Sequence, residues 1–271
     1  MGSKRIGLAR TQALIENLKR ELNLADSTLE GGATMVWDPK SRPSQYNFAG
    51  APVCTTKVGT AGSGTDDAEN IWQWSDGLSL TSNNIGTQTL FYPVESTSGC
   101  VMSGDATNDE GLQWAARSEG ARGELNKDYF TVGTSPAFFM SVTFTIDDVS
   151  GTDDCAVGFR KVEAFQAAID DYDEGACMNV ISGDIYIETI LNNGTTTATD
   201  TTDNWADAAS HELKVLVSAA GVVTFQIDGA APTATAAFTF DNGEHVTPCG
   251  YHLNATDLAT ITYTKMKYGL Q

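Results

Sequence analysis

The chain has 271 residues, of which 41% are hydrophobic and 9% aromatic, and it carries a formal net charge of −19. This length fits one large domain or two smaller ones. The acidity argues against nucleic-acid binding, which needs a basic face to neutralise phosphates. Since no run of about 18 apolar residues occurs, no membrane-spanning helix is predicted.

The first 22 residues differ in charge from the rest of the chain. They hold five basic and two acidic side chains, a net charge of +3, whereas the remainder holds 11 basic and 33 acidic ones, a net charge of −22. Residues 3–22 (SKRIGLARTQALIENLKREL) predict a short basic amphipathic helix with a heptad-like seam at Leu8, Thr11, Ile15, Leu18 and Leu22. Because an isolated helix of this length is marginal in water, we expect it to bind copies of itself or a partner, or to pack on its own domain.

Three regions follow from these patterns. Residues 1–25 form the predicted helix, and Gly31 and Gly32 predict a hinge after it. Residues 26–110 lack sustained periodicity, and we interpret them as irregular, β-rich structure that is either separate from the following domain or part of it. Residues 111–271 are patterned as a β domain.

Trp72 and Trp74 (IWQWS) would share one face of an extended segment. Paired aromatic rings of this kind can stack on sugar rings, and they can equally fill a core. They are therefore candidate glycan-binding residues.

The strand pattern is clearest after Pro136. In residues 137–147 (AFFMSVTFTID), Met140, Val142, Phe144 and Ile146 alternate with polar residues, which indicates a half-buried antiparallel strand. Turn signals at Ser182-Gly183, Asp228-Gly229 and Asn242-Gly243 separate further alternating runs. Residues 162–169 are compatible with a strand or a short helix. This regular spacing predicts a mostly β protein, an antiparallel β-sandwich or barrel.

The segments WAD from Trp205, HELKVLV from His211 and GVVTFQIDG from Gly221 resemble concanavalin A-like jelly rolls of the laminin-G and pentraxin kind. The resemblance covers roughly residues 110–271. It implies a sandwich of two antiparallel sheets, and it leaves function open because one fold hosts many activities.

The segment KRIGLARTQALIENLKREL, residues 4–22, is similar to the N-terminal segment of structural proteins from marine tailed bacteriophages. In that group a shared N-terminal anchor precedes a variable β-rich body. The resemblance implies a capsid-associated virion protein.

Candidate residues for chemistry are few. Glycanases of this fold place several carboxylates on one strand, whereas Glu188 in IYIET lacks partners at that spacing, so an enzyme is not predicted. Asp170, Asp171 and Asp173 are weak Ca²⁺ candidates and also fit a solvated acidic loop. The five cysteines lack metal-ligand spacing and are interpreted as buried free thiols, with a late disulfide as the alternative. No cofactor is predicted.

These observations predict a non-enzymatic phage virion protein that decorates or cements the capsid exterior as a homotrimer. Because Lys4 and Arg5 precede an amphipathic helix rather than an apolar run, we expect synthesis in the host cytoplasm without a secretory signal. The expected partners are the major capsid protein or other virion proteins, and the expected contact residues are Arg5, Leu8, Arg10, Ile15, Leu18, Lys19 and Leu22. The alternative is a tail-fibre or lectin-like module that binds host glycan, and neither function involves nucleic acid or a membrane.

Overall fold

The computed structural model describes residues 34–37, 70–73, 79–87, 91–96, 99–104, 106–116 and 130–271. The predicted N-terminal helix, the hinge at Gly31-Gly32 and Trp74 lie outside these residues. The fold described below refers to the described ranges.

Two antiparallel sheets form the protein. The first sheet, sheet A, has seven strands: β1 (Thr34–Trp37), β4 (Phe91–Ser96), β5 (Gly99–Gly104), β8 (Phe138–Ile146), β13 (Ser210–Val217), β14 (Val223–Ile227) and β16 (Ile261–Leu270). The second, sheet B, has nine: β2 (Asn70–Gln73), β3 (Ser79–Ile85), β6 (Gly111–Ala115), β7 (Phe130–Thr131), β9 (Thr152–Lys161), β10 (Gly175–Ile181), β11 (Asp184–Ile190), β12 (Thr197–Asn204) and β15 (His245–Asn254). Two short 3-10 helices, Val149–Gly151 and Ile169–Asp171, lie in connecting segments.

Several neighbouring strands in each sheet come from distant parts of the chain. Sheet A runs β14-β13-β8-β16-β5-β4, with β1 also on β16, and sheet B runs β12-β11-β10-β9-β15-β6-β3-β2, with β7 also on β15. Strands from residues 70–115 therefore pair in both sheets with strands from the C-terminal half. The prediction of a mostly β, antiparallel sandwich is confirmed for the described residues.

One apolar core fills the space between the sheets. Met140, Val142, Phe144 and Ile146 of β8 are each at most 1% exposed, so the predicted alternation holds on this face. Aromatic rings interlock across the core, as in the stacked pair Phe144–Trp205 with ring centroids 4.6 Å apart. Burying each such side chain contributes about 1.5–3 kcal/mol before entropy is counted.

The predicted turns also form. Ser182 and Gly183 join β10 to β11 with φ of 49° and 92°, the positive values that a two-residue type I′ hairpin requires. Asp228 and Gly229 follow β14 with φ of 51° and 81°. Both glycines therefore occupy the left-handed conformation that side chains with a Cβ disfavour.

Residues 162–168 are neither strand nor helix. They form an irregular segment that crosses sheet B and ends in the 3-10 helix Ile169–Asp171. The carbonyl oxygens of Lys161 and Glu163, which a helix would have used, accept hydrogen bonds from Arg160 at 2.9 and 3.2 Å. Nowhere in the described ranges does a helix have the length and apolarity to cross a membrane.

Trp205, His211 and Asp228 of the jelly-roll-like segments form one structural cluster. The Trp205 ring is 2% exposed and meets the His211 ring edge-on at 4.7 Å between centroids. His211 Nδ1 lies 2.7 Å from Asp228 Oδ2, and Asp228 Oδ1 accepts a hydrogen bond from the Glu212 backbone N–H at 2.8 Å. These contacts fix the start of β13 against the turn after β14.

Candidate functional site

Sheet B has an outer face, turned away from the main core, that carries polar and reactive side chains. Along β9, Cys155, Val157 and Phe159 point into the core, so Ala156 and Arg160 point outward. The strand register extends this outer face across the sheet through Asn179 and Glu188 of β10 and β11 and through Gln113, Cys249 and Tyr251 of β6 and β15. Such a set of residues is not needed to join the two sheets.

A segment that we call the cover loop, residues 162–174, lies over this outer face. Tyr251 donates its hydroxyl to the carbonyl oxygen of Ala167 at 3.0 Å, and Gln113 Nε2 donates to the carbonyl oxygen of Gln166 at 2.5 Å. The Tyr172 hydroxyl in turn donates to Gln113 Oε1. Phe165 and Ile169 pack on a small buried cluster formed by Ala115, Ala156, Cys177, Cys249 and Tyr251. The loop is thus held by hydrogen bonds from side chains of two strands, β6 and β15, and it packs on side chains of four strands, β6, β9, β10 and β15.

A small pocket with a cavity volume of about 20 Å³, room for about one water molecule, lies between the cover loop and the sheet. Its walls are mostly apolar, with a few polar groups that converge from β6, β9 and the loop. The lining residues are Gln113, Ala156, Arg160, Ile169, Tyr172, Cys177, Cys249, Gly250 and Tyr251.

Arg160 is the one cationic residue among the lining residues of this pocket, and it is only 3% exposed. Its guanidinium carbon lies 4.4 Å from the centroid of the Tyr172 ring and 5.2 Å from that of Phe165, at cation–π distance. Nη1 donates to two backbone carbonyl oxygens, whereas Nη2 is buried and has no hydrogen-bond partner. Within the described part of the chain, no carboxylate lies within ion-pair distance of it.

A carboxyl cluster lies beside the pocket on β9, β10 and β11. Asn179 Nδ2 donates to Asp154 Oδ1 at 2.5 Å, and Asn179 Oδ1 accepts a hydrogen bond from the Cys155 backbone N–H at 2.8 Å. Glu188 is 9% exposed, and its Oε2 is buried without a partner. Buried polar atoms normally have partners, so an orphaned one is a feature that calls for explanation.

The pKa values of both carboxyl groups of this cluster, those of Asp154 and Glu188, are raised. Burial raises the pKa of Glu188 to about 7, and the negative charge of Asp154 adds to the rise. Burial also raises the pKa of Asp154 to about 6, although its hydrogen bond from Asn179 opposes the rise. Asp170 of the cover loop raises the pKa of both groups further. At neutral pH the cluster therefore contains a carboxyl group that is partly protonated.

The thiols of Cys177 and Cys249 approach each other across Gly158 in the pocket. Cys177 of β10 and Cys249 of β15 both pair with Gly158, which lies on the strand between them. Two strand spacings separate their Cα atoms by about 9.6 Å, more than the roughly 7 Å that a disulfide can bridge. Their hydrogen bond raises the pKa of Cys177 well above its usual value and lowers that of Cys249, as expected when one thiol donates to the other.

The prediction of buried free thiols is confirmed for Cys100, Cys155, Cys177 and Cys249. Cys54 lies outside the described residues. Since no disulfide joins the four described cysteines, the alternative of a late disulfide has no support among them.

The other candidate residues are scattered relative to this site. Asp170 and Asp171 are exposed on a 3-10 helix of the cover loop, whereas Asp173 forms an ion pair with Lys161 at 2.5 Å. Across the described residues no group of three or more histidine, cysteine or acidic side chains is arranged to hold a metal ion. Trp72 lies in β2, at the edge of sheet B opposite Leu80. The proposed contact residues between Arg5 and Leu22 lie outside the described ranges, as does Trp74.

Arg160 was not predicted as a site residue from the sequence, and Glu188 was interpreted as a carboxylate without partners. Sequence spacing shows which residues share one face of a single strand. The carboxyl cluster instead brings together residues of three strands, with Asn179 in the middle one. The signal that was present is the outward position of Arg160 in the CAVGFRKV run, where a charged residue faces away from an apolar core.

No protein-family model matches the chain, and no curated protein matches it. Among solved structures, a protein of unknown function from Shewanella oneidensis MR-1 is similar over 93% of this chain and 92% of its own, with a TM-score of 0.52 and 10% identity. The Emp46p carbohydrate recognition domain in its potassium-bound form aligns over 69% of this chain and 87% of its own, with a TM-score of 0.49 and 8% identity. The carbohydrate-binding module CBM66 from Bacillus subtilis aligns over 67% and 93%, with a TM-score of 0.42 and 11% identity.

These likenesses concern the fold. Two of these neighbours are named as a carbohydrate recognition domain and a carbohydrate-binding module, and the likeness to the Shewanella protein supports the β-sandwich fold alone. None of these three neighbours is described as a phage or capsid protein. The resemblance of residues 4–22 to phage proteins therefore has no counterpart among them.

Proposed function

We propose that this protein is a glycan-binding module and that the ligand occupies the outer face of sheet B at the cover-loop pocket. The observation that carries the proposal is the pair of buried atoms without partners, Arg160 Nη2 and Glu188 Oε2, on the side of the sheet that faces away from the core. A ligand with hydroxyl or charged groups would satisfy such atoms.

The side chains around the pocket suit sugar recognition. Tyr186 of β11 is half-buried and lies opposite Asn179 in the register, beside the carboxyl cluster. A tyrosine ring gives a sugar an apolar surface together with a polar group. The carboxylate of Asp154 can accept hydrogen bonds from sugar hydroxyls, and the buried Asn179 holds it in place through its Nδ2 donor.

A glycan array with the full chain tests this proposal. We expect reproducible binding that Tyr186→Ala reduces about tenfold, the loss of one favourable contact of about 1.4 kcal/mol. Tyr186→Phe, which keeps the ring, should retain most of the affinity. Binding that is lost on Trp72→Ala and unaffected by Tyr186→Ala would instead place the ligand at the sheet edge, and absence of binding to any glycan would contradict the proposed function.

We propose binding without cleavage, in line with the sequence-based expectation that the protein is not an enzyme. Asn179 is fully buried and Glu188 nearly so, which leaves little room for a water molecule to attack a bound sugar. Incubation of a bound oligosaccharide with the protein should release no new reducing ends. Measured cleavage would reassign Glu188 and Asp154 as catalytic carboxyl groups.

A second function, attachment to a phage particle, is supported by the charge contrast between residues 1–22 and the rest of the chain. In this proposal the N-terminal segment anchors a homotrimer to the major capsid protein or another virion protein, on the capsid exterior, after synthesis in the host cytoplasm. The β-sandwich would then project outward and present its glycan-binding face.

Deletion of residues 1–22 tests the anchoring proposal. We expect the truncated protein to lose particle binding while its β-sheet circular dichroism and thermal unfolding stay unchanged. Replacing Leu8, Ile15 and Leu22 together with serine should have the same effect at nearly constant charge. A truncated protein that still occupies particles fully would contradict anchoring by this segment.

A further inference from the structure

The environment of Arg160 is unusual for a buried cation. Arg160 is 3% exposed, its guanidinium lies within cation–π distance of the rings of Tyr172 and Phe165, and it has no carboxylate partner in the described part of the chain. Moving a charge out of water costs several kcal/mol unless an opposite charge or a full set of hydrogen bonds replaces the water. Here only Nη1 is satisfied.

The nearby carboxylates are engaged elsewhere. Glu163 Oε1 accepts a hydrogen bond from the Asp173 backbone N–H at 2.9 Å, and the Asp173 carboxylate pairs with Lys161. Glu174 Oε1 accepts a hydrogen bond from the Asp241 backbone N–H at 2.9 Å. None of these three carboxylates pairs with Arg160.

From this arrangement, and resting on the proposed glycan-binding function, we infer that the ligand is an acidic glycan whose anionic group pairs with Arg160 in the cover-loop pocket. The two hydrogens on Nη2 can each bond an anionic oxygen, a charge-assisted contact that is stronger than a neutral hydrogen bond. Gln113 and Tyr172 lie in the same pocket wall, and the hydrogen bonds that they make with each other and with Gln166 hold the cover loop in place. Because Nη2 has almost no exposed surface, binding includes a shift of the cover loop away from the guanidinium.

The charge of the whole protein gives this contact a recognisable salt dependence. A net charge of −19 repels a polyanion at long range, and salt screens that repulsion, with a Debye length of about 8 Å at physiological ionic strength. A buried contact is screened much less. We therefore expect the affinity for an acidic glycan to hold or rise as NaCl increases from 0.05 to 0.5 M, whereas adsorption to surface lysines would weaken.

The test compares a polyuronate with the same polymer after reduction of its carboxyl groups to alcohols, with a sulfated polysaccharide as a third ligand. Titration calorimetry with the wild-type protein should show the polyuronate or the sulfated polymer binding at least about tenfold more tightly than the reduced polymer. Preference between the two anionic polymers identifies carboxylate or sulfate as the group that is bound.

Arg160→Met should abolish this preference while retaining the length of the side chain. Lys214→Met is the matched control, since Lys214 also places its cation 5.2 Å from an aromatic ring, that of Phe139, but on sheet A. A preference that survives Arg160→Met would overturn the inference. If the Arg160 variant does not fold, the comparison of the acidic and reduced polymers with the wild-type protein still tests whether an anionic group is required for binding.

Equal binding of the acidic and reduced polymers would also overturn the inference while leaving the proposed glycan-binding function intact. Absence of binding to all three polymers and to the glycan array would overturn both. An affinity for polyanions that falls steeply with salt and depends on Lys214 would assign the binding to sheet A instead.

Discussion

Replacing Gly158 with alanine is expected to destabilise the fold by about 3 kcal/mol, near the upper end of overpacking effects. A Cβ at this position would lie 2.3 Å from the carbonyl oxygen of Ala176 and 2.7 Å from the Cα of Cys177. Both are backbone atoms of the neighbouring strand β10, so no side-chain rotation relieves the clash. The strands β9 and β10 would have to separate at the centre of sheet B, beneath the pocket. Urea denaturation followed by tryptophan fluorescence measures the loss.

Gly175→Ala is the matched control on the adjacent strand. A Cβ there would meet the Phe159 carbonyl oxygen at 3.6 Å and the Arg160 Cβ at 3.8 Å, which are ordinary contacts. We expect Gly175→Ala to be neutral or to stabilise by up to about 1 kcal/mol, since alanine restricts the unfolded chain. A Gly158 variant as stable as the Gly175 variant would mean that the close approach of the strands at Gly158 is not required.

The strands after Pro136 could be predicted because each carries its own signal. In β8 and β13 the buried and exposed faces alternate residue by residue, and the hairpin between β10 and β11 has a two-residue turn with positive φ. Local patterns of this kind need no knowledge of the partner strand. Ser141 is an informative exception, because it is only 2% exposed although it lies on the polar side of β8, where it donates a hydrogen bond to Glu212.

The strands before residue 116 could not be assigned because their pairing is not local. Strand β6 (GLQWA) is buried along its whole length between β3 and β15. Buried and exposed residues therefore do not alternate along it, and the period-2 pattern of a half-buried strand is missing. Strand β5 joins β16, from the opposite end of the chain. Short strands that are held by distant partners carry their stability in tertiary contacts rather than in local sequence preference.

The candidate site was hidden for the same reason. Asp154, Asn179 and Glu188 are 9 to 34 residues apart in sequence and become neighbours only when β9, β10 and β11 align. The cover loop shows a related effect, since the guanidinium of Arg160 bonds the carbonyl oxygens that would begin a helix at residues 161–163. A sequence pattern indicates which residues are buried, but not which buried polar groups meet.

The second large effect is a pH-dependent stabilisation by Glu188→Gln. The pKa of Glu188 rises from 4.5 to about 7 on folding, so between these values the native state holds a proton that the unfolded state has released. Stability contributed by this group is therefore complete below pH 4.5 and is lost as the pH rises through about 7. At 1.36 kcal/mol per pKa unit, the loss is about 3 kcal/mol.

Glutamine has the shape of the protonated carboxyl group and does not titrate. We expect Glu188→Gln to match the wild-type protein at pH 4.5 and to exceed its free energy of unfolding by about 2–3 kcal/mol at pH 8, with the gain reduced where the new amide lacks a partner. Urea denaturation at half-unit pH steps gives the difference directly. Asp184→Asn, at an exposed position of the same strand, is the control for replacing a carboxylate by an amide.

The comparison between variant and wild type is needed because other groups titrate in the same range. Burial raises the pKa of Glu174 to about 7 and that of Asp154 to about 6, so both add to the loss of stability with rising pH. His252 acts in the opposite direction, since burial lowers its pKa to about 4 and the unfolded state gains a proton first as the pH falls. These contributions are common to both proteins and cancel in the difference, apart from the coupling between Asp154 and Glu188. A difference that does not change with pH would mean that Glu188 is ionised in the native state, and the partly protonated carboxyl cluster beside the pocket would then be excluded.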